Sequence, residues 1–307
     1  MAAYRILSLD GGGIRGLVTV ILLERILAQH PQLLARTHLL AGTSTGGLIA
    51  LGLASGASLA RLRALYESKG EEIFDDGWID DVVDLGKTVG ADYDNQKLIR
   101  HVRELLGEKR LRQLGKHVMV TAFDLDNEDP VKSKRTWKPK VFHNLPGDDK
   151  DGEVLAWKAG IYTSAAPTYF PSFEGYVDGG VYANNPSMCA LALALDERNA
   201  QPQRLADLRL LSLGTGNSLT YVKGQSLDWG LAQWVKPLIG LMMDGVAGIA
   251  HFQCQQLLGA RYHRLAPDFA PDVNIPLDAV KRVSELVDFA SALDLSDTLE
   301  WLEQSWG

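Results

Sequence analysis

Residues 7 to 17, LSLDGGGIRGL, set three consecutive glycines behind an aspartate where a short apolar run gives way to a helix-length one. Glycine at that density lets the backbone turn sharply and approach another group closely, so the chain opens with a strand-turn-helix unit. A second unit follows at once: HLLAG is a strand, and TSTGGLIALGLA is a turn running into a buried helix. Further strands are expected in HVMVTAF, around KVFH, at the end of GYVDGG, in LRLLSLGTG and in ARYHRL. Helices are expected in SLARLRALYESKGEEIF and in YDNQKLIRHVRELLG, the latter opened by Asp94 or Asn95 and closed by Gly107. EVLAWKAGIYTSAA and PSMCALALALDE, with Pro186 at its start, complete the set before a mainly helical stretch from Asp228 onward. Strands alternating with helices predict an α/β fold whose mainly parallel sheet is covered on both faces. No internal repeat, low-complexity linker or boundary signal interrupts the 307 residues, so a single domain, 1–307, is expected.

Charge and cysteine usage narrow the partners. A formal net charge of −7 argues against a nucleic-acid polymer, whose binding is driven by clustered Lys and Arg. Cys189 and Cys254 are too few for a disulfide framework or a metal site of usual spacing, and they suit a reducing cytoplasm. No secretory signal is visible, because Asp10 interrupts the first apolar run. Thr37 to Ala60 lacks Asp, Glu, Lys and Arg and reaches the roughly 20 residues that span a bilayer. Its Gly, Ser and Thr content predicts a buried strand-turn-helix instead.

Gly11, Gly13 and Gly16 form a literal G-x-G-x-x-G after a strand, so a dinucleotide site has to be weighed. It fails twice. No Asp or Glu occurs from Arg25 to Tyr66 to hold a ribose, and Asp10 would set a negative charge beside the pyrophosphate. GTSTG, residues 42 to 46, is a G-x-S-x-G between a strand and a helix, with Gly42 and Gly46 flanking the serine. A turn that sharp needs small neighbours, and it exposes the Ser44 hydroxyl at the positive end of the next helix.

A nucleophilic serine needs a base. His251 or His263 completes the Ser, Asp, His order of an α/β-hydrolase nominally, but the elbow comes after only two strands, and His251 lies in an expected helix. The other choice is Asp178 in YVDGGVYANNP, where Gly179 and Gly180 leave the carboxylate unobstructed and let its loop approach another. Ester hydrolysis then lacks only donors for the oxyanion, and the N–H groups of Gly12 and Gly13 supply them.

DGGGIRG, GTSTG and DGG, in that order, resemble the three signatures of the patatin-like phospholipases. TSAAPTYF and LSLGTG are similar to that family too, so the motif-bearing part covers about residues 5–216, with a C-terminal helical part over about 228–307. The resemblance implies a three-layer α/β/α fold and acyl ester hydrolysis of a phospholipid or lysophospholipid by a Ser-Asp dyad, with no metal and no cofactor. Carried over residue by residue, Ser44 is the nucleophile and Asp178 the base, while Gly11, Gly12, Gly13 and Arg15 form the oxyanion loop. Some bacterial members are effectors switched on by a cyclic nucleotide, so a small nucleotide activator and a homo-oligomer stay open as partners. The protein is expected in the cytoplasm, with peripheral contact at the membrane.

Two segments bear on substrate access. VKSKRTWKPK, residues 131 to 140, carries five basic residues around Trp137 and is either a solvated hairpin or an anchor for anionic lipid. WVKPLIGLMMDGVAGIAHF places Leu238, Ile239, Leu241, Met242 and Met243 in an apolar cluster, which is either ordinary helix packing or a lid or acyl channel.

Overall fold

A computed structural model describes residues 3–73, 93–147, 151–219, 221 and 228–306. Among them seven strands form one sheet, ordered β4-β3-β2-β1-β6-β7, with β5 pairing β3 off that path. β1 (Tyr4–Leu9), β2 (Leu39–Thr43), β3 (His117–Asp124), β6 (Leu208–Leu213) and β7 (Tyr262–Leu265) run parallel, as their near-continuous apolar runs predict for strands buried on both faces. β4 (Lys138–His143) and β5 (Tyr176–Asp178) are the antiparallel members.

The pleat divides these strands between two cores. Leu7 and Leu9 of β1, Leu40 of β2 and Leu211 and Leu213 of β6 point to one side; Ile6, Leu39, Ala41, Leu208 and Leu210 point to the other. The first side is covered mainly by α1 (Gly16–Gln29), the short α2 (Leu33–Arg36), α3 (Thr45–Ser55), α4 (Leu59–Glu67), α5 (Gly70–Ile73), α6 (Asn95–Leu106) and α7 (Ala156–Ser164). After the single turn α8 (Gly180–Ala183), α9 (Ser187–Leu195) and the long α10 (Leu231–Leu258) cover the second side. α11 (Val283–Ala292) and α12 (Ser296–Ser305) return to the first. The architecture is therefore three-layered, α/β/α, and the expected fold class holds.

Two expectations shift in detail. The single helix expected over SLARLRALYESKGEEIF breaks between Glu67 and Gly70, and its last residue, Phe74, lies outside the described residues. Gly70 sits against Ile14, where an added Cβ would come within 2.8 Å of the isoleucine Cδ1, so close approach overrides helix continuity there. Pro186 is the N-cap of α9, so the helix opens at Ser187, one residue later than expected. As expected, Thr37–Ala60 holds a buried strand-turn-helix, β2 and α3, and no helix of the described residues is long and apolar enough to cross a membrane.

At the strand ends Asp10 does not face a ligand. Its carboxylate takes two hydrogen bonds, 3.2 and 2.6 Å, from Arg264 on β7, and Arg264 also donates to Ser212 on β6 at 2.7 Å. The pair is buried and stitches the ends of β1, β6 and β7 together. Removing one partner strands a charge without solvent, so Arg264→Ala is expected to cost about 3–5 kcal/mol in urea unfolding. A loss below about 1 kcal/mol, the worth of an exposed pair, would contradict that role.

Candidate active site

Ser44 follows directly on β2 and stands at the N-cap of α3 with φ 54° and ψ −126°. A serine at an N-cap ordinarily has extended backbone and its hydroxyl accepts a hydrogen bond from the first turn of the helix. Ser44 does neither; it holds a left-handed backbone and makes no side-chain cap bond. The strain is held by packing. A Cβ on Gly42 would lie 2.2 Å from the Gly46 carbonyl oxygen, and a Cβ on Gly46 would lie 2.2 Å from that of Leu9. Thr163 pins the turn from a third direction, its Oγ1 accepting the Ser44 N–H at 2.8 Å.

The sheet register explains why Asp178 arrives beside this turn. β2 pairs one edge of β3 up to Thr43 opposite Thr121, and β5 continues along the same edge from Tyr176 opposite Asp124 to Asp178 opposite Ala122. β2 and β5 run in opposite senses, so their C-terminal ends meet head to head at adjacent positions of β3. The Thr43 hydroxyl fastens the junction by donating to Ala183 O at 2.6 Å and lying 2.7 Å from the Thr121 hydroxyl. Gly179 is needed there because a Cβ would sit 2.1 Å from the Thr121 Oγ1.

The Asp178 carboxylate is buried, receives the Gly180 N–H at 2.7 Å and lines the same cavity as Ser44. Burial raises its pKa from 3.8 to about 6, against the pull of the Ser44 side chain and the Gly180 N–H, which favour the charged form. It is thus still ionised at neutral pH, yet far more basic than a solvated aspartate.

The glycine loop after β1 closes the site from the opposite side. The Gly11 N–H is taken up by the Asn184 carbonyl at 2.9 Å, so that residue ties the loop to the segment after Asp178. Its Cβ-free carbon matters sterically, since an added Cβ would meet the Asn184 Oδ1 at 2.3 Å and the Ser44 Cβ at 3.3 Å. The amides of Gly12 and Gly13 have no hydrogen-bond partner among the described residues, and both glycines line the cavity that Ser44 and Asp178 share. Arg15 is not among the lining residues; its guanidinium feels Asp244 of α10 and its Nε lies 3.4 Å from Gly12 O. On the glycine loop, the cavity-lining residues whose N–H groups have no partner among the described residues are therefore Gly12 and Gly13.

That cavity measures about 150 Å³ and is walled by side chains such as Leu48, Leu65, Ile73, Leu98, Phe170 and Met243. Ser164 also lines it, with a buried hydroxyl that finds no partner among the described residues. No histidine reaches it: His251 pairs with the Tyr262 hydroxyl at 3.2 Å, and His263 with the Thr298 hydroxyl at 2.8 Å. Thr163, Ser164 and Asn184 escaped the residue-by-residue sequence reading, although the phrases TSAAPTYF and ANNP that contain them are conspicuous. Met242 and Met243 line the cavity while Leu238 and Leu241 are exposed; the Ile239 side chain lies outside the described residues.

Residues 7–191, which hold the glycine loop, the elbow and Asp178, match the patatin-like phospholipase family. The chain belongs to that family. Its membership makes it a carboxylic ester hydrolase that acts on lipid. Among curated relatives, "Putative sporulation hydrolase CotR" of Bacillus subtilis is 29% identical over 100% of this chain and 99% of its own length. A cGAMP-activated phospholipase of Escherichia coli is 34% identical over 69% of this chain and 62% of its own. One of Vibrio cholerae, bearing the same name, is 29% identical over 95% of this chain and 87% of its own. The three patatin-like signatures fall inside the matched region, whereas β6, β7 and the helices from α10 onward lie beyond it.

Proposed function

We propose that this patatin-like chain hydrolyses a carboxylic ester of a phospholipid or lysophospholipid through Ser44 and Asp178. The observation that carries the reading is that Ser44 and a buried, basic Asp178 carboxylate line one apolar cavity together with Gly12 and Gly13, whose amides have no hydrogen-bond partner among the described residues. Asp178 takes the Ser44 proton as Oγ attacks the ester carbonyl, and the Gly12 and Gly13 N–H groups hold the negative oxygen. When the C–O bond breaks, the proton passes from Asp178 to the leaving alkoxide, and an acyl group remains on Ser44. A water then repeats the sequence, giving its proton to Asp178 and its oxygen to the carbonyl, which releases the fatty acid. The apolar walls suit an acyl chain, and the whole chain acts as one domain, in the cytoplasm and peripherally at the membrane.

Mass spectrometry of phospholipids after incubation tests this. Wild type is expected to release fatty acid and the matching lyso-lipid, and Ser44→Ala is not; equal release by both, or by neither even with cGAMP added, would sink the reading. Nucleophile, base and oxyanion donors all come from this chain in this reading, so hydrolysis is expected to persist in EDTA. Complete loss restored by added calcium would show that a metal takes part. The names of the Escherichia coli and Vibrio cholerae relatives add a second element, a small nucleotide activator. Repeating the lipid assay with and without cGAMP decides it: release only with the nucleotide supports gating, and equal release removes it.

A further inference from the structure

The large apolar side chains that the described residues leave exposed come from three segments: the β3–β4 hairpin, the loop after β6, and α10. The hairpin emerges at the C-terminal end of β3 and the loop at that of β6, and the parallel register aligns both with the end of β2, where Ser44 sits. α10 follows that loop and runs back toward the start of β7, so its first turns stand at the same end of the sheet. Met243 lines the catalytic cavity, and Met242 both lines it and is exposed. Leu238, one turn before Met242, and Leu241, its neighbour in sequence, are exposed with it at i, i+3, i+4 spacing, and Leu241 is 52% exposed. Trp137, at the hairpin, is 69% exposed. Ile249, Phe252 and Leu257 are exposed further along α10, while the other exposed apolar side chains gather at this end of the molecule, and such a patch marks an interaction surface.

Resting on the ester-hydrolase reading of the cavity, we propose that this end of the molecule docks on a lipid bilayer by apolar insertion of Trp137, Leu238, Leu241 and Met242. The continuity of that surface with the cavity through Met242 singles out the bilayer as occupant. An acyl chain leaving a bilayer crosses to an apolar cavity without meeting water only where the two are in direct contact. Electrostatics plays little part. Of the five basic residues around Trp137, Arg135 is paired with Asp126 at 2.7 Å and Lys140 with Asp151 at 2.6 Å, and Glu128 and Asp129 on the same hairpin leave a surplus of one positive charge against Lys132, Lys134 and Lys138. Docking is therefore insensitive to salt and does not require anionic lipid.

Co-sedimentation of Ser44→Ala protein with phosphatidylcholine vesicles tests the docking apart from the chemistry. Binding is expected at low and at high salt, and Trp137→Glu with Leu241→Glu in the same protein is expected to weaken it roughly a hundred-fold. Trp137→Ala with Leu241→Ala should weaken it less, which guards against a misfolded charge variant. With Ser44 restored, the Glu pair should hydrolyse a short-chain soluble ester like wild type and lose only its activity on vesicles. Unchanged vesicle binding by the Glu pair, or no binding by the parent, overturns the proposal. So does a dimer, seen by light scattering, that the Glu pair dissociates, because the surface then belongs to a second copy. Failure to hydrolyse even the soluble ester removes the ester-hydrolase reading instead and leaves the vesicle-binding result to be judged by itself.

Discussion

Asp178→Asn is expected to be a folded, more stable and nearly inactive protein. Loss of the base should lower the rate on a soluble ester by about 10²- to 10⁴-fold. In wild type the rate should rise with pH through about 6, since only the ionised carboxylate accepts the Ser44 proton, and Asp178→Asn should lose that dependence. The stability effect has the opposite sign. Burial raises the folded pKa above the unfolded one, so folding is favoured while the carboxyl is protonated and progressively penalised as pH rises from about 4 to about 6. Above that range the penalty is on the order of 2–3 kcal/mol, and the amide, which keeps an acceptor for the Gly180 N–H, removes much of it. Thermal melts at pH 7.5 should therefore place Asp178→Asn above wild type, with the gap closing toward about pH 4. His251→Ala and His263→Ala should retain most activity, because each ring is engaged away from the cavity. A histidine variant as inactive as Asp178→Asn would redirect the proton path.

Ser44 is expected to separate chemistry from strain. Ser44→Ala should abolish turnover without stabilising the fold, because alanine meets the same penalty at φ 54°. Ser44→Gly should be equally inactive yet more stable by about 1 kcal/mol, the relief of a left-handed backbone that glycine adopts freely. Equal stability of the two variants would mean that the elbow stores no strain. The ordinary use of a serine at a helix start is as a cap; this one has given that up to present its hydroxyl to Asp178.

Much of this site was legible because its constraints are local. GTSTG announces a turn where Gly42 and Gly46 are hemmed in by backbone carbonyls, and DGG announces a carboxylate with a close neighbour, here Thr121. The parallel strands were legible from continuous apolar runs, since strands such as LLAGT are buried on both faces. The rest depends on register and distance. That β5 lies end to end with β2 along β3 is written in pairings about 55 residues away in the chain, and no local pattern encodes it. For the same reason the sequence could not tell that Asn184 uses up the Gly11 amide, that Arg15 turns toward Asp244, or that Thr163 anchors the elbow. The break at Gly70 shows tertiary contact overriding a helical pattern, as Ile14 fills the space a side chain would need.

The account stands most directly on Ser44 being the atom that attacks and Asp178 the group that makes it attack. Reaction with a fluorophosphonate, followed by peptide mass spectrometry and by the rate of adduct formation, tests both together. The predicted result is a single adduct on Ser44 in wild type, none in Ser44→Ala, and an adduct on the same residue formed at least roughly 10²-fold more slowly in Asp178→Asn. An adduct that persists in Ser44→Ala, or one that forms on Ser44 at the wild-type rate in Asp178→Asn, would contradict it.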